Sequence, residues 1–210
     1  MVDEYRPYES NFKKMLKGIF EQGDYIAVYG LVHFVVGVHY CPLSFKGELA
    51  AILETCFSPY RVIGGDALVP LSTEAEAEQI EAALVDTQKS GFAGAYSHLK
   101  AAAASLGAGK NADAIRESIH AVESAARQIS GTSELGAALT KLETGLGMHG
   151  AMKKAFGALY GYASNEQGIR HPLLDGGDAK VDETDAIFML GACASFVSYL
   201  IAKARAAGLA

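Results

Sequence analysis

The stretch "DAIRESIHAVESAARQISG" (Asp113–Gly131) decides how this chain folds. Ile115, Ile119, Val122, Ala126 and Ile129 recur at steps of four and three, the period of one face of an α-helix. Arg116, His120, Glu123 and Arg127 recur at the same steps, one residue later. The helix is therefore apolar on one face and ionisable along its flank, and Gly131 ends it. An apolar stripe of this kind has to be buried against other elements, and the rest of the sequence offers mostly helices.

Upstream, the spacing predicts helices over Tyr8–Gln22, from an N-cap at Asp24 towards Cys41, and over Phe45–Phe57. The pattern then changes. "YRVIGGDALVPL" (Tyr60–Leu71) has two short apolar runs around Gly64-Gly65-Asp66, which predicts a β-hairpin. Ser72 or Thr73 before "EAEAEQIEAALVD" reads as a capped helix with acids in its first turn, and Lys89-Ser90-Gly91 breaks it. A further helix is predicted over Phe92–Leu106, with a loop over Gly107–Asp113.

Downstream, short helices are predicted over Glu134–Leu142 and Ala151–Tyr162. The last begins at Asp182, with Asp185 three positions on in an N-cap arrangement, and runs to about Ala206. From Ile187 to Ile201 it is apolar nearly all round, so it must be buried on every side. In a chain this small, that predicts packing against a second copy and hence a homodimer. The fold class expected is all-α, a helical bundle with a small β-hairpin in its N-terminal part. The expected division is residues 1–90, a helical region with the hairpin, and 91–210, the helical domain proper.

The chain has 210 residues, half of them hydrophobic, so it can bury a sizeable core. A net charge of −6 excludes coating nucleic acid through bulk charge but leaves room for a local basic site that acts on RNA. Cys41, Cys56 and Cys193 are far apart and odd in number, which suggests neither a disulfide frame nor a zinc knuckle. The start "MVDEYRPYESNFKK" is charged and polar, so a cytoplasmic protein is expected. Tyr25–Cys41 and Ala186–Ala202 approach membrane-span length but are diluted by His, Ser, Gly, Ala or Tyr, so no membrane is expected.

Several motifs fail their structural context. "GLGMHG" (Gly145–Gly150) satisfies GxGxxG but follows a helical segment where a dinucleotide site needs a strand. "GAGKN" (Gly107–Asn111) lacks phosphate-loop spacing, and no GxSxG is present. No cofactor is expected. His33 and His39 are six apart, off one helical face, and read as core or interface residues. His98 reads as a solvated helix residue and His149 as a cap-region histidine. No His/Cys/Asp cluster has ligand spacing along the chain, so no metal is expected.

The long segment between Tyr162 and Asp182 carries "NEQGIRHPLLDGGD" (Asn165–Asp178). Pro172 biases His171 away from helical geometry. An imidazole exchanges protons near neutral pH, and a guanidinium holds a phosphate through two hydrogen bonds. Those are the two needs of metal-free RNA cleavage.

The run "DAIRESIHAVESAARQISG", "LGAALTKLE", "HGAMKKAFGALYGYASNEQGIRHPLLD" and "DETDAIFMLGACASFVSYLIAKA" resembles the C-terminal module of bacterial abortive-infection proteins, members of the HEPN superfamily. The resemblance covers about Asn111–Ala204, and its most specific piece is "ALYGYASNEQGIRHPLLD". It implies a dimerising helical bundle, and many members are metal-independent RNA endonucleases. Their usual motif is Arg, four to six residues, then His. Here Arg170 and His171 are adjacent, and Arg116 and His120 have only three residues between them, so the chain departs from it. On the leading expectation, this is a defence endoribonuclease in which Arg170 binds the scissile phosphate and His171 is the acid or base. Supporting contacts come from His149, Tyr162 and Ser164, and from Arg116, Glu117, His120 and Glu123. The rival is a non-catalytic HEPN-like dimerisation or interaction module.

Overall fold

The computed structural model describes residues 9–71, 73–165 and 180–209. In chain order the elements are α1 (Glu9–Gln22), α2 (Tyr25–Gly37), α3 (Leu43–Thr55), β1 (Tyr60–Ile63), β2 (Ala67–Pro70), α4 (Glu74–Lys89), α5 (Ala93–Gly107), α6 (Asn111–Ser130), α7 (Leu135–Gly145), α8 (Gly150–Asn165) and α9 (Glu183–Ala206). The described residues form an all-α fold with a small antiparallel hairpin, as the periodicity predicts.

Local chemistry sets the element ends. Asp24 caps α2 by accepting from the Ala27 N–H at 2.9 Å. Thr73 and Glu76 form a full capping box on α4, and Asp182 and Asp185 form another on α9. The hairpin turns at Gly64 (φ 60°) and Gly65 (φ 73°), a left-handed pair that side-chain-bearing residues rarely adopt. Its turn is pinned from two helices. Glu81 accepts from the Gly64 N–H at 2.7 Å, and the Lys100 ammonium donates to Asp66 at 2.6 Å. That hydrogen bond holds the Lys100 pKa above its ordinary value.

α2 stops at Gly37, short of the expected Cys41, and α3 is shifted towards the N-terminus, starting behind Pro42. The "GLGMHG" segment is a helix–helix turn, with Gly147 left-handed at φ 63°.

The core is built on α9, which lies against α4, α5 and α6. Ten α9 residues are buried, from Ala186 to Ala204, and Phe196 stacks on Phe156 of α8. This helix is long and apolar enough to cross a membrane, yet its surroundings are those of a core helix. Half of its apolar span is buried within one chain, while Phe188 stays 60% exposed. The same core takes in Ile63, Val69 and Leu71 of the hairpin region and Ile80 and Leu84 of α4, so it crosses the expected boundary at residue 90.

The first three helices are different. Only Val36 of α2 and Leu53 of α3 are buried in those two helices. Phe12, Phe20, Ile26, Phe34, Leu43 and Ile52 are exposed, so these three helices present large apolar side chains to solvent.

Candidate functional site: a histidine-lined cleft between two helices

Among the described residues α5 and α6 pack against each other along an extended seam, and both bury small residues. Ala95, Ala102 and Ala103 of α5 and Ala114, Ala121 and Ala125 of α6 are buried. At Gly94 even a methyl group would run into the Ser124 hydroxyl. With the backbones so close, longer side chains flanking the seam project into one groove.

That groove is a cleft of about 490 Å³ lined by His98, His120, Glu123, Ser124, Arg127 and Gln128. The His98 Nδ1 lies 2.8 Å from Glu117 Oε2, so α5 and α6 are joined by an imidazole–carboxylate hydrogen bond. The His98 and His120 rings meet edge to face, with centroids 5.3 Å apart. The Arg116 Nε is 3.7 Å from the other Glu117 oxygen, and Arg116 also pairs with Asp113 at 2.8 Å. Arg127 pairs with Glu123 at 3.9 Å, one turn apart. Gln128 donates to the Gly91 carbonyl at 3.3 Å and so fixes the far end of the cleft against the α4–α5 turn. The cleft thus joins two imidazoles, a guanidinium, an amide, a hydroxyl and a carboxylate; the imidazoles, guanidinium, amide and hydroxyl can donate to an anionic oxygen, while Glu123 offsets part of the Arg127 charge.

The expected residues are distributed as follows. His120 and Glu123 form the cleft wall, with Glu117 and Arg116 directly behind it. His149 does what a cap-region histidine does: its Nδ1 accepts from the Ala151 N–H at 3.1 Å at the start of α8. Tyr162 and Ser164 lie on the last turns of α8. Thirteen residues of helix, about 20 Å at 1.5 Å per residue, separate Tyr162 from His149, so the fold does not bring His149 to those two. Arg170 and His171 lie outside the described residues.

His98 corrects the sequence reading. It is a half-buried member of the cleft, bonded to Glu117, and not merely a solvated helix residue. Glu117 and His120 share a helical face and could have been paired from spacing alone. Their partner on α5 could not, because nothing local relates residue 98 to residue 117. His33 is partly buried near Gly107, while His39 is exposed beyond the end of α2, so only the first fits a core reading.

No family model matches the sequence, and comparisons with curated proteins and with solved structures return no match.

Proposed function

We propose that this protein is a metal-independent RNA endonuclease of the HEPN type, acting in abortive-infection or toxin-type phage defence. The observation that supports it is the α5–α6 cleft, which gathers the donors His98, His120, Arg127, Gln128 and Ser124, with Glu123 as the one acid among them, into one groove on a chain of net charge −6. Donors of this kind suit the phosphates of an RNA backbone, where contacts fix the strand without reading its sequence. In this proposal Arg127 holds a flanking phosphate, and Ser124 and Gln128 supply hydrogen bonds. Arg170 binds the scissile phosphate and His171 exchanges the proton, with Tyr162 and Ser164 as neighbouring contacts.

The step is a transesterification. A base takes the proton of the 2′-hydroxyl, the 2′-oxygen bonds to phosphorus, and the 5′-oxygen leaves with a proton. The products are a 2′,3′-cyclic phosphate and a 5′-hydroxyl. A guanidinium stabilises the charge that builds on the phosphorane oxygens.

Purified protein incubated with total RNA in EDTA tests this directly. Cleavage is expected, and Arg170→Ala and His171→Ala are each expected to lower the rate by about 10²–10⁴ with unchanged thermal melts. The two losses should not add in the double variant if the groups act as a unit. Full activity in both single variants would remove these residues from the chemistry.

A second reading is favoured by the exposed apolar surface of α1–α3. Here the protein is a non-catalytic assembly module, and the surface is covered by a second copy. α2 contains no charged residue, and α1 and α3 carry both lysine and glutamate, so the exposed apolar side chains of α2 suit a like face and the flanking charges of both signs can pair across it. Absence of RNA cleavage together with a stable homodimer would give this reading the lead.

A further inference from the structure

His98, Glu117 and His120 each offer one ligand atom, and these atoms lie within 4.8 Å of one another. A tetrahedral ion about 2.0–2.2 Å from each ligand needs those ligands about 3.4 Å apart. The 2.8 Å between His98 Nδ1 and Glu117 Oε2 is shorter than that and no separation exceeds 4.8 Å, so side-chain rotations that move the ligand atoms by up to about 1.4 Å close the set. Glu117 and His120 stand three positions apart on one face of α6, and His98 faces them from α5. Behind them Arg116 lies against the second Glu117 oxygen and is itself held by Asp113, an outer layer of the kind that orients a ligating carboxylate.

Access and ligand type both bear on the ion. His98 is 38% and Glu117 20% exposed, so an ion can enter from water, and the cleft leaves space beside the rings for a remaining water ligand. Two imidazoles and one carboxylate suit zinc and its first-row neighbours, while magnesium and calcium take oxygen ligands.

We infer that His98, Glu117 and His120 form a binding site for a divalent transition-metal ion, zinc by ligand chemistry, which clamps α5 to α6 at the cleft. The site does not rest on the RNA proposal, which gives the chemistry to Arg170 and His171. Bound zinc replaces the His98–Glu117 hydrogen bond with metal–ligand bonds; a neutral His98 then carries its ring proton on the nitrogen that does not ligate, and an imidazolium gives its second proton to water.

The test uses the full chain, stripped with EDTA and exchanged into chelator-free buffer. Zinc chloride is titrated by calorimetry and by thermal melts. One ion per chain is expected, with a melting temperature that rises with zinc concentration and does not respond to equal magnesium. Glu117→Gln keeps a hydrogen-bond acceptor for His98 and is expected to weaken zinc at least tenfold, as are His98→Ala and His120→Ala. His39→Ala, an exposed histidine outside the cleft, should bind as the parent does. Melts in EDTA report whether each variant folds, and Glu117→Gln decides if the alanine variants do not. No zinc binding, or equal binding by the parent and Glu117→Gln, overturns the site; in the latter case the ion sits elsewhere, as on the exposed Cys56. Cleavage of RNA in EDTA is scored separately. Zinc binding without cleavage sinks the RNA proposal alone, and cleavage without zinc binding sinks this one alone.

Discussion

Phe57 shows what a single residue can cost. It sits just past α3 with φ 52°, the left-handed position that glycine usually fills. The hydrogen bonds there, Ser58 N–H to the Leu53 carbonyl at 2.9 Å and Phe57 N–H to Glu54 at 3.0 Å, are those of a glycine-type helix end. The ring is 91% exposed and gains almost nothing from packing. A bulky residue here costs about 1–2 kcal/mol, partly offset because glycine is freer when unfolded. Phe57→Gly is therefore expected to stabilise by about 0.5–1 kcal/mol, seen as a higher urea midpoint at unchanged slope. A lower midpoint would mean that the ring has a buried role. Cys193 makes the opposite case. It is fully buried in α9, and burial pushes its thiol up to about 12. At pH 8 it carries almost no thiolate, so iodoacetamide should label exposed Cys56 promptly and Cys193 only after denaturation. Equal labelling of the two in native protein, read by mass spectrometry, would contradict the packing of α9.

At the scale of elements, the hairpin docks on α5 through a contact that tolerates no added atom. A methyl group at Gly107 would collide with the Leu68 backbone carbonyl and the His33 ring. Backbone cannot swing aside as a side chain can, so Gly107→Ala forces β2 off the end of α5. The expected cost is about 1–3 kcal/mol, measured by urea unfolding. Gly136 is the control: nothing lies near the position a methyl would take, and it sits inside α7, where alanine is the better helix former. Gly136→Ala is expected to be neutral or stabilising; if both glycine variants lost stability alike, the docking contact would not be the cause. Helix ends, by contrast, needed no tertiary contact to be read. Thr73 with Glu76 and Asp182 with Asp185 are pairs three residues apart, visible in any listing of the chain.

At the scale of the whole molecule, two phenylalanines separate folding from assembly. Phe196 is buried at the centre, stacked on Phe156. Phe196→Ala should cost about 3–5 kcal/mol, through lost burial and the cavity left behind. Phe34 is 69% exposed on α2, and Phe34→Ser should barely change stability. If the α1–α3 surface joins two copies, the parent is a dimer by light scattering at micromolar concentration and Phe34→Ser moves it to monomer. A parent that is monomeric there ends the assembly reading of this face.

What the sequence determined by itself is local. The stripe Ile115, Ile119, Val122, Ala126 and Ile129, the two capping boxes and the Gly64-Gly65 turn all follow from relations between residues one to four apart, which backbone geometry fixes wherever the segment lies. The helical class follows from summing them. Tertiary structure alone decided which faces meet. An all-apolar α9 can bury its surface against a second copy or against neighbours in its own chain, and packing with α4, α5 and α6 buries ten of its residues against the neighbours. The same packing set His98 of α5 against Glu117 and His120 of α6. No periodicity links them, because the distance between two helices is fixed by the small residues along their seam and not by the sequence separation of the residues that flank it.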